Sequence, residues 1–144
     1  MEIQIINAGL NLNIHGFSGT AINKDYTGAA FRLMDKMWNL VKTKGLKNKG
    51  LNIWVYEPDE KMFAGVELNE TVTETGLEQK NIHLTKYAYY KHIGPYGLIK
   101  QAGQNMIDEL KKKGFEKGHP YIEIYGHWTN DESKLETELL MNFK

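Results

Sequence analysis

The sequence predicts an α+β fold in which two similar strand-helix-strand-strand modules place both helices on one side of a mainly antiparallel sheet. One observation behind this prediction is an internal repeat: a shift of 69 residues (114 minus 45) superimposes Lys44-Gly45-Leu46 on Lys113-Gly114-Phe115. The other is that each half contains an apolar helical stripe followed by a strand of strict alternation. With 144 residues the chain is predicted to form a single domain, with modules at 1–68 and 79–144 and a linker at 69–78.

The first module begins with two predicted strands, Ile3–Ile6 and Leu12–Phe17, and continues with a helix from near Thr27 to Lys44. The helix is predicted because large apolar residues recur every three or four positions. Gly45 stands where a left-handed C-cap is expected. The apolar stripe consists of Phe31, Met34, Trp38 and Val41, widened by Leu33, Met37 and Leu40.

The second module repeats this order with a helix over residues 95–113, which Pro95 begins and Gly114 ends. Ile99, Ala102, Met106 and Leu110 form its apolar stripe. Gly103, inside the helix, costs about 1 kcal/mol relative to alanine, which predicts close packing at that position. The strands that complete the two modules are predicted at Asn52–Glu57, Met62–Leu68, Lys86–His92, Tyr121–His127 and Leu135–Phe143.

One alternating strand in each module carries the residues of greatest chemical interest. In Tyr121-Ile122-Glu123-Ile124-Tyr125 the isoleucines share one face, which we expect to pack on a helix, while the phenols and the carboxylate share the other. The repeat aligns Trp54 with Glu123 and Tyr56 with Tyr125, so a pseudo-twofold assembly brings these residues to a common cleft on the sheet face away from the helices. The predicted ligand-binding residues are Trp54, Tyr56, Tyr121, Glu123 and Tyr125, with Tyr89 and Tyr96 as further walls.

A carboxylate between aromatic rings is costly to desolvate unless a positive or hydrogen-bonding group meets it. An amphipathic organic cation supplies both a charge for Glu123 and a flat surface for the rings. The alternative is that these residues are ordinary strand residues, because tyrosine and tryptophan favour strands and solvent-facing strands commonly carry glutamate.

Composition excludes several other classes of function. The 18 basic and 18 acidic residues balance, so no global charge favours nucleic acid or an anionic membrane, and the absence of cysteine excludes thiol chemistry. The five histidines lack zinc-site spacing, and neither a phosphate-binding glycine loop nor a Gly-x-Ser-x-Gly elbow is present. We therefore expect a cytoplasmic protein without a metal, a cofactor or a membrane partner.

Two segments of the chain resemble the gyrase-inhibitor-like effector-binding domain, which also forms the carboxy-terminal sensor of AraC-type and MerR-type multidrug regulators. They are Tyr87–Tyr96, which ends in Gly-Pro-Tyr, and Pro120–Tyr125, which lies after the intervening helix. The first half agrees with the family through Phe17-Ser18-Gly19-Thr20, Trp38, Ile53–Glu57 and Phe63-Ala64-Gly65-Val66-Glu67, so the resemblance covers nearly the whole chain.

The resemblance implies two modules with a ligand cleft between them, in which a strand glutamate meets a cation and aromatic rings sandwich it. Glu123 matches that glutamate, with Tyr125 on the same face and Trp54 from the other module, whereas Tyr89 and Tyr96 match more loosely. No helix-turn-helix region precedes the domain, so we expect a stand-alone binder of small organic cations without direct DNA binding. A protein partner or a homodimer remains open.

The same resemblance is compatible with two functions other than the binding of a small cation. Some relatives are hydrolases that open strained rings of DNA-alkylating natural products, and Glu123 would serve such an enzyme as acid or base. The gyrase-inhibitor relatives instead act on another protein, which would make the chain an interaction module.

Overall fold

A computed structural model describes residues 1–70 and 72–144 of the chain; Thr71, in the predicted linker, lies outside the described residues. Within this part, eight strands and two α-helices follow one another, with short 3-10 turns before each helix and before the last strand. The elements are β1 (Gln4–Ile6), β2 (Leu10–Thr20), α1 (Tyr26–Thr43), β3 (Ile53–Tyr56), β4 (Lys61–Val66), β5 (Glu78–Leu84), β6 (Tyr87–Ile93), α2 (Ile99–Lys112), β7 (Lys117–Tyr125) and β8 (Glu136–Phe143).

The strands form one antiparallel sheet in the order β1-β6-β8-β7-β3-β4-β2-β5, so the predicted α+β class is confirmed. The two modules meet where β3 pairs with β7, with Trp54 opposite Glu123. On either side of this pair, Ile53 pairs with Ile124 and Val55 pairs with Ile122. The 69-residue shift places Ile53 on Ile122 and Val55 on Ile124, so the repeat maps one of these pairs onto the other. The pseudo-twofold axis therefore passes through the pair formed by Trp54 and Glu123.

Each edge strand pairs with a strand of the other module: β1 of the first module pairs with β6, and β5 pairs with β2 of the first module. Only Thr85 and Lys86 separate the end of β5 from the start of β6, although these strands stand near opposite ends of the sheet. Three residue steps span at most roughly 11 Å, so the two ends of the sheet must approach each other. The sheet is consequently curled.

This curl overturns the expectation that the aliphatic residues of β3 and β7 pack on helices. Ile53, Val55 and Ile122 are at most 1% exposed and belong to an apolar cluster that draws on all eight strands but on neither helix. The prediction was wrong because the strands at the ends of the curled sheet cover this face themselves.

Both helices pack on the other face of the sheet, so their predicted placement on one side is confirmed. Helix α1 buries Ala29, Ala30, Met37 and Val41, and α2 buries Ile99, Ala102, Met106 and Leu110. Phe31, predicted to belong to the core stripe, is 52% exposed. Neither helix in residues 1–70 and 72–144 is long and apolar enough to cross a membrane.

Candidate ligand-binding cleft

A cleft of ≈ 400 Å³ opens between the helices on the aromatic face of the sheet. Strands β3 and β7 form its floor, the first turn of α1 forms one wall, and α2 forms the other. The helices pack towards the ends of this face, which leaves the strands on the pseudo-twofold axis uncovered between them. The cleft thus lies on the same face as the helices, and not on the face away from them as the alternation suggested.

The centre of the floor is the carboxylate of Glu123, a residue that is only 5% exposed. Its Oε1 accepts hydrogen bonds from the hydroxyl groups of Tyr56 (2.7 Å) and Tyr125 (2.6 Å), and its Oε2 accepts one from Tyr121 (2.9 Å). Tyr121 and Tyr125 reach it because residues two apart on a strand point to the same face, and Tyr56 reaches it across the β3–β7 pair. Three phenol protons therefore replace the water that burial removes.

Burial and the negative charge of Glu123 together raise the pKa of Tyr56, Tyr121 and Tyr125 above the ordinary value for a phenol. These hydroxyls consequently remain protonated donors at neutral pH. The three phenols are the hydrogen-bonding groups that a desolvated carboxylate requires, because hydrogen bonds to a charged group offset much of the cost of desolvating it.

Aromatic rings form two rows, one on each side of the carboxylate. In the first row Trp54 lies 4.8 Å from Tyr125 between ring centroids, and Tyr125 lies 5.6 Å from Tyr96. In the second row Tyr56 lies 5.4 Å from the ring of Tyr121, and Tyr26 continues it at 5.5 Å from Tyr56. These spacings are typical of interacting aromatic pairs, so the floor is a preformed aromatic surface.

Six of the seven predicted site residues come together in this cleft, and Tyr89 does not. Its side chain lies on the opposite face, against the apolar cluster of the curled sheet. There burial, together with the charge of nearby Glu138, raises the pKa of Tyr89 to about 12. Tyr89 lies outside the cleft because the alternation of β6 directs Tyr90, and not Tyr89, to the helix side. The residues brought together are Trp54, Tyr56, Tyr96, Tyr121, Glu123 and Tyr125.

The walls contain residues that were not predicted to line the cleft. Helix α2 contributes Lys100, Gly103, Gln104 and Ile107. These residues recur every three or four positions and therefore form one face of the helix, beside its apolar stripe. Further wall residues are Lys24, Asp25, Tyr26, Thr27, Ile99, Lys117 and Met141.

Gly103 lets the helical wall approach the floor, because a Cβ atom there would lie 3.4 Å from the hydroxyl oxygen of Tyr121. Gly103→Ala is therefore expected to raise the free energy of unfolding by up to about 1 kcal/mol through helix propensity. The same methyl group narrows the cleft, so the affinity for a bulky ligand should fall while that for a small one is retained. Thermal melting and titration with ligands of two sizes measure both effects; equal losses for both ligands would contradict this role.

Nothing in the described part of the chain resembles a metal centre, since no three acidic or histidine side chains cluster there. A larger hollow of ≈ 610 Å³ lies beside residues 67–70 and 72–77, but its described lining is mainly amides, threonines and carboxylates without tyrosine, tryptophan or phenylalanine. The aromatic cleft is therefore the better candidate for binding an organic ligand.

Comparison with known proteins gives matches among solved structures, while no protein-family model and no curated protein matches the chain. SAV2435 bound to tetraphenylphosphonium superimposes with a TM-score of 0.65 and 20% identity, covering 100% of this chain and 94% of that one. The EcmrR C-terminal domain gives a TM-score of 0.67 and 13% identity, covering 100% of this chain and 99% of that one. A hydrolase from Listeria innocua gives 0.59 and 10%, covering 99% and 92%.

At these identities the comparisons establish the fold. They confirm, at that level, the resemblance drawn from the sequence, because the similarity extends over nearly the entire length of this chain and of each neighbour.

Proposed function

We propose that this chain binds amphipathic or planar organic cations in the cleft above Glu123, as a small-molecule sensor or sequestering protein. One observation carries the proposal: a buried carboxylate, held by three phenol hydroxyls, lies beneath an open aromatic cleft. Such an arrangement concentrates negative potential at a surface that is otherwise suited to flat apolar groups.

The ligand is expected to contact ring faces more than carboxylate oxygens, because Glu123 is only 5% exposed. A cation over an aromatic face gains roughly 0.5–2 kcal/mol, the larger value applying when the site excludes water. Tyr56, Tyr121 and Tyr125 also point their hydroxyl groups towards a negative charge, which increases the electron density that their rings offer to a cation. Trp54 and Tyr96 extend the contact surface for the apolar part of the ligand.

The neighbouring structures support this proposal. SAV2435, a protein that shares the fold along the whole chain, was solved with tetraphenylphosphonium, a lipophilic organic cation. The second neighbour is the C-terminal domain of EcmrR. The low sequence identity to these neighbours does not by itself assign a ligand to this chain, so the proposal depends on the residues of its own cleft.

Hydrolysis is a second candidate function, because a hydrolase from Listeria innocua shares the fold. A glutamate that acts as a general base needs a free lone pair close to the attacking water. In this cleft Oε1 of Glu123 already accepts two phenol protons and Oε2 accepts one, so the carboxylate, which is only 5% exposed, keeps a single lone pair on Oε2 for a water. Binding without catalysis is therefore the better-supported function. Ring-opening of a DNA-alkylating substrate that is lost in Glu123→Gln would establish the enzyme instead.

The deciding experiment compares two ligands of the same shape and opposite charge. Tetraphenylphosphonium and tetraphenylborate are titrated into the protein while tryptophan fluorescence and heat are recorded. We expect the cation to bind at least tenfold more tightly than the anion, because the carboxylate attracts one and repels the other. Equal affinities, or no change in fluorescence and melting temperature with either ligand, would refute the proposal and favour the enzymatic or protein-interaction function.

A further inference from the structure

The rim of the cleft has a charge opposite to that of its floor. Lys24 just before α1, Lys100 on α2 and Lys117 on β7 all line the cleft, and each of them is exposed. They come from three different elements and converge on one opening. The rim is therefore not a single run of lysines on one solvated helix.

None of these three lysines has a carboxylate within ion-pair distance in the part of the chain that the structure describes, where five other lysines do. Among the described residues that line the rim, Asp25 is the acidic one, and its side chain caps α1 by accepting a hydrogen bond from the backbone N–H of Gly28 at 3.0 Å. Three lysines thus face one aspartate that already has a structural partner.

Lys24 is held at the rim by an unusual turn. Asn23 and Lys24 have backbone φ angles of 55° and 61°, in the left-handed region that non-glycine residues adopt at a cost in free energy. The chain accepts this cost immediately before α1, at a point where Lys24 lines the opening.

We propose that the ligand is an aromatic zwitterion: a flat, delocalised cation that lies over the tyrosines around Glu123 and carries an anionic substituent that meets Lys24, Lys100 and Lys117. This inference rests on the proposed function, since it assigns the cationic part of the ligand to the same floor. A ligand with positive charge alone gains from the floor but is repelled by the rim. A dipolar ligand gains from both, and the fixed order of the charges orients it in the cleft.

The test uses a matched pair of dyes that differ in one group. Rhodamine 6G is the ethyl ester of a xanthene cation, and hydrolysis of that ester gives the zwitterionic free acid with the same ring system. Both are titrated at low ionic strength by fluorescence anisotropy. The free acid should bind about fivefold more tightly than the ester, a ratio typical of one or two exposed ion pairs. Added salt should remove this preference by screening the rim.

The variant Lys24→Gln/Lys100→Gln/Lys117→Gln separates the rim from the floor. We expect it to weaken binding of the free acid about fivefold and to leave binding of the ester unchanged or tighter, because repulsion is removed. The control, Lys42→Gln/Lys111→Gln/Lys113→Gln, removes three exposed lysines outside the cleft and should preserve the preference of the wild-type protein.

The possible results distinguish the two proposals. Equal binding of both dyes by the wild-type protein, tighter binding of the ester, or a preference that survives in the rim variant would each overturn the zwitterion inference and leave cation binding intact. Absence of binding by either dye and by tetraphenylphosphonium would instead refute the proposed function, and this inference with it.

Discussion

Glu123→Gln is expected to reduce the affinity for a lipophilic cation at least tenfold while changing the affinity for a neutral ligand of similar shape much less. The substitution keeps the size and planarity of the side chain and removes its charge. Opposite charges about 6 Å apart at an effective dielectric constant near 20 attract by about 3 kcal/mol, and desolvation of the ligand offsets part of this. A net loss of at least about 1.4 kcal/mol, or tenfold, follows.

The variant should retain its fold, because an amide can replace the hydrogen bonds that the carboxylate makes. The amide oxygen can accept from Tyr56 and Tyr125, which share Oε1 in the wild-type protein, and the amide nitrogen can donate to the hydroxyl of Tyr121. Loss of three charge-assisted hydrogen bonds lowers the free energy of unfolding, whereas removal of a buried charge raises it. We expect the free energy of unfolding to change by no more than about 2 kcal/mol.

Glu138→Gln provides the matched control. Glu138 also lies on a strand beside a tyrosine, but on the opposite face of the sheet, where Tyr89 is its neighbour. The control removes the same charge from the protein without touching the cleft, so cation affinity should be unchanged. Calorimetric titration of tetraphenylphosphonium and of neutral triphenylphosphine oxide decides the matter. Equal losses for the two ligands in Glu123→Gln, or equal losses of cation affinity in both variants, would rule out an electrostatic role for Glu123.

Much of the site follows from strand alternation alone. The period of two fixes which residues share a face, so Glu123, Tyr121 and Tyr125 were placed together correctly, and the 69-residue shift added Trp54 and Tyr56. In the structure, the two residues that the repeat aligns, Trp54 and Glu123, stand opposite each other on β3 and β7. Alternation does not state which element covers a given face, and this is why the helices were assigned to the wrong side of β3 and β7.

The remaining errors depend on long-range pairing. Strand β5 was not predicted, and part of it was assigned to the linker, because Ile82 and Leu84 are its only apolar residues and so short an alternation does not stand out from the polar residues before it. Its pairing with β2, and that of β1 with β6, produce the curl that covers the aliphatic face. The rim lysines come from three distant elements and have no common pattern in the sequence.

The protein is expected to lose stability steeply at alkaline pH because of the three phenols around Glu123. The folded-state pKa of each is raised above its unfolded value of about 10, so their contribution to stability is fully present below that pH and is lost as the pH rises towards the folded-state values. Above about pH 10 the unfolded chain releases the three protons that the folded chain retains around Glu123, and Tyr89, whose pKa is raised to about 12, adds a smaller contribution. Each proton contributes about 1.4 kcal/mol per pH unit, so the three phenols around Glu123 should lower the free energy of unfolding by about 4 kcal/mol per unit.

Urea unfolding at a series of pH values measures this slope, and the ultraviolet absorbance of tyrosinate identifies the groups responsible. Of the eight tyrosines, three should ionise only together with the loss of near-ultraviolet circular dichroism. Tyr56→Phe should make the slope shallower by about 1.4 kcal/mol per pH unit, and it should also lower the free energy of unfolding at neutral pH by about 1.5–3 kcal/mol, since Glu123 loses one charge-assisted hydrogen bond. A folded protein in which all eight tyrosines ionise near pH 10 would be incompatible with a buried carboxylate held by three phenols, because a phenolate beside Glu123 would be repelled rather than bound.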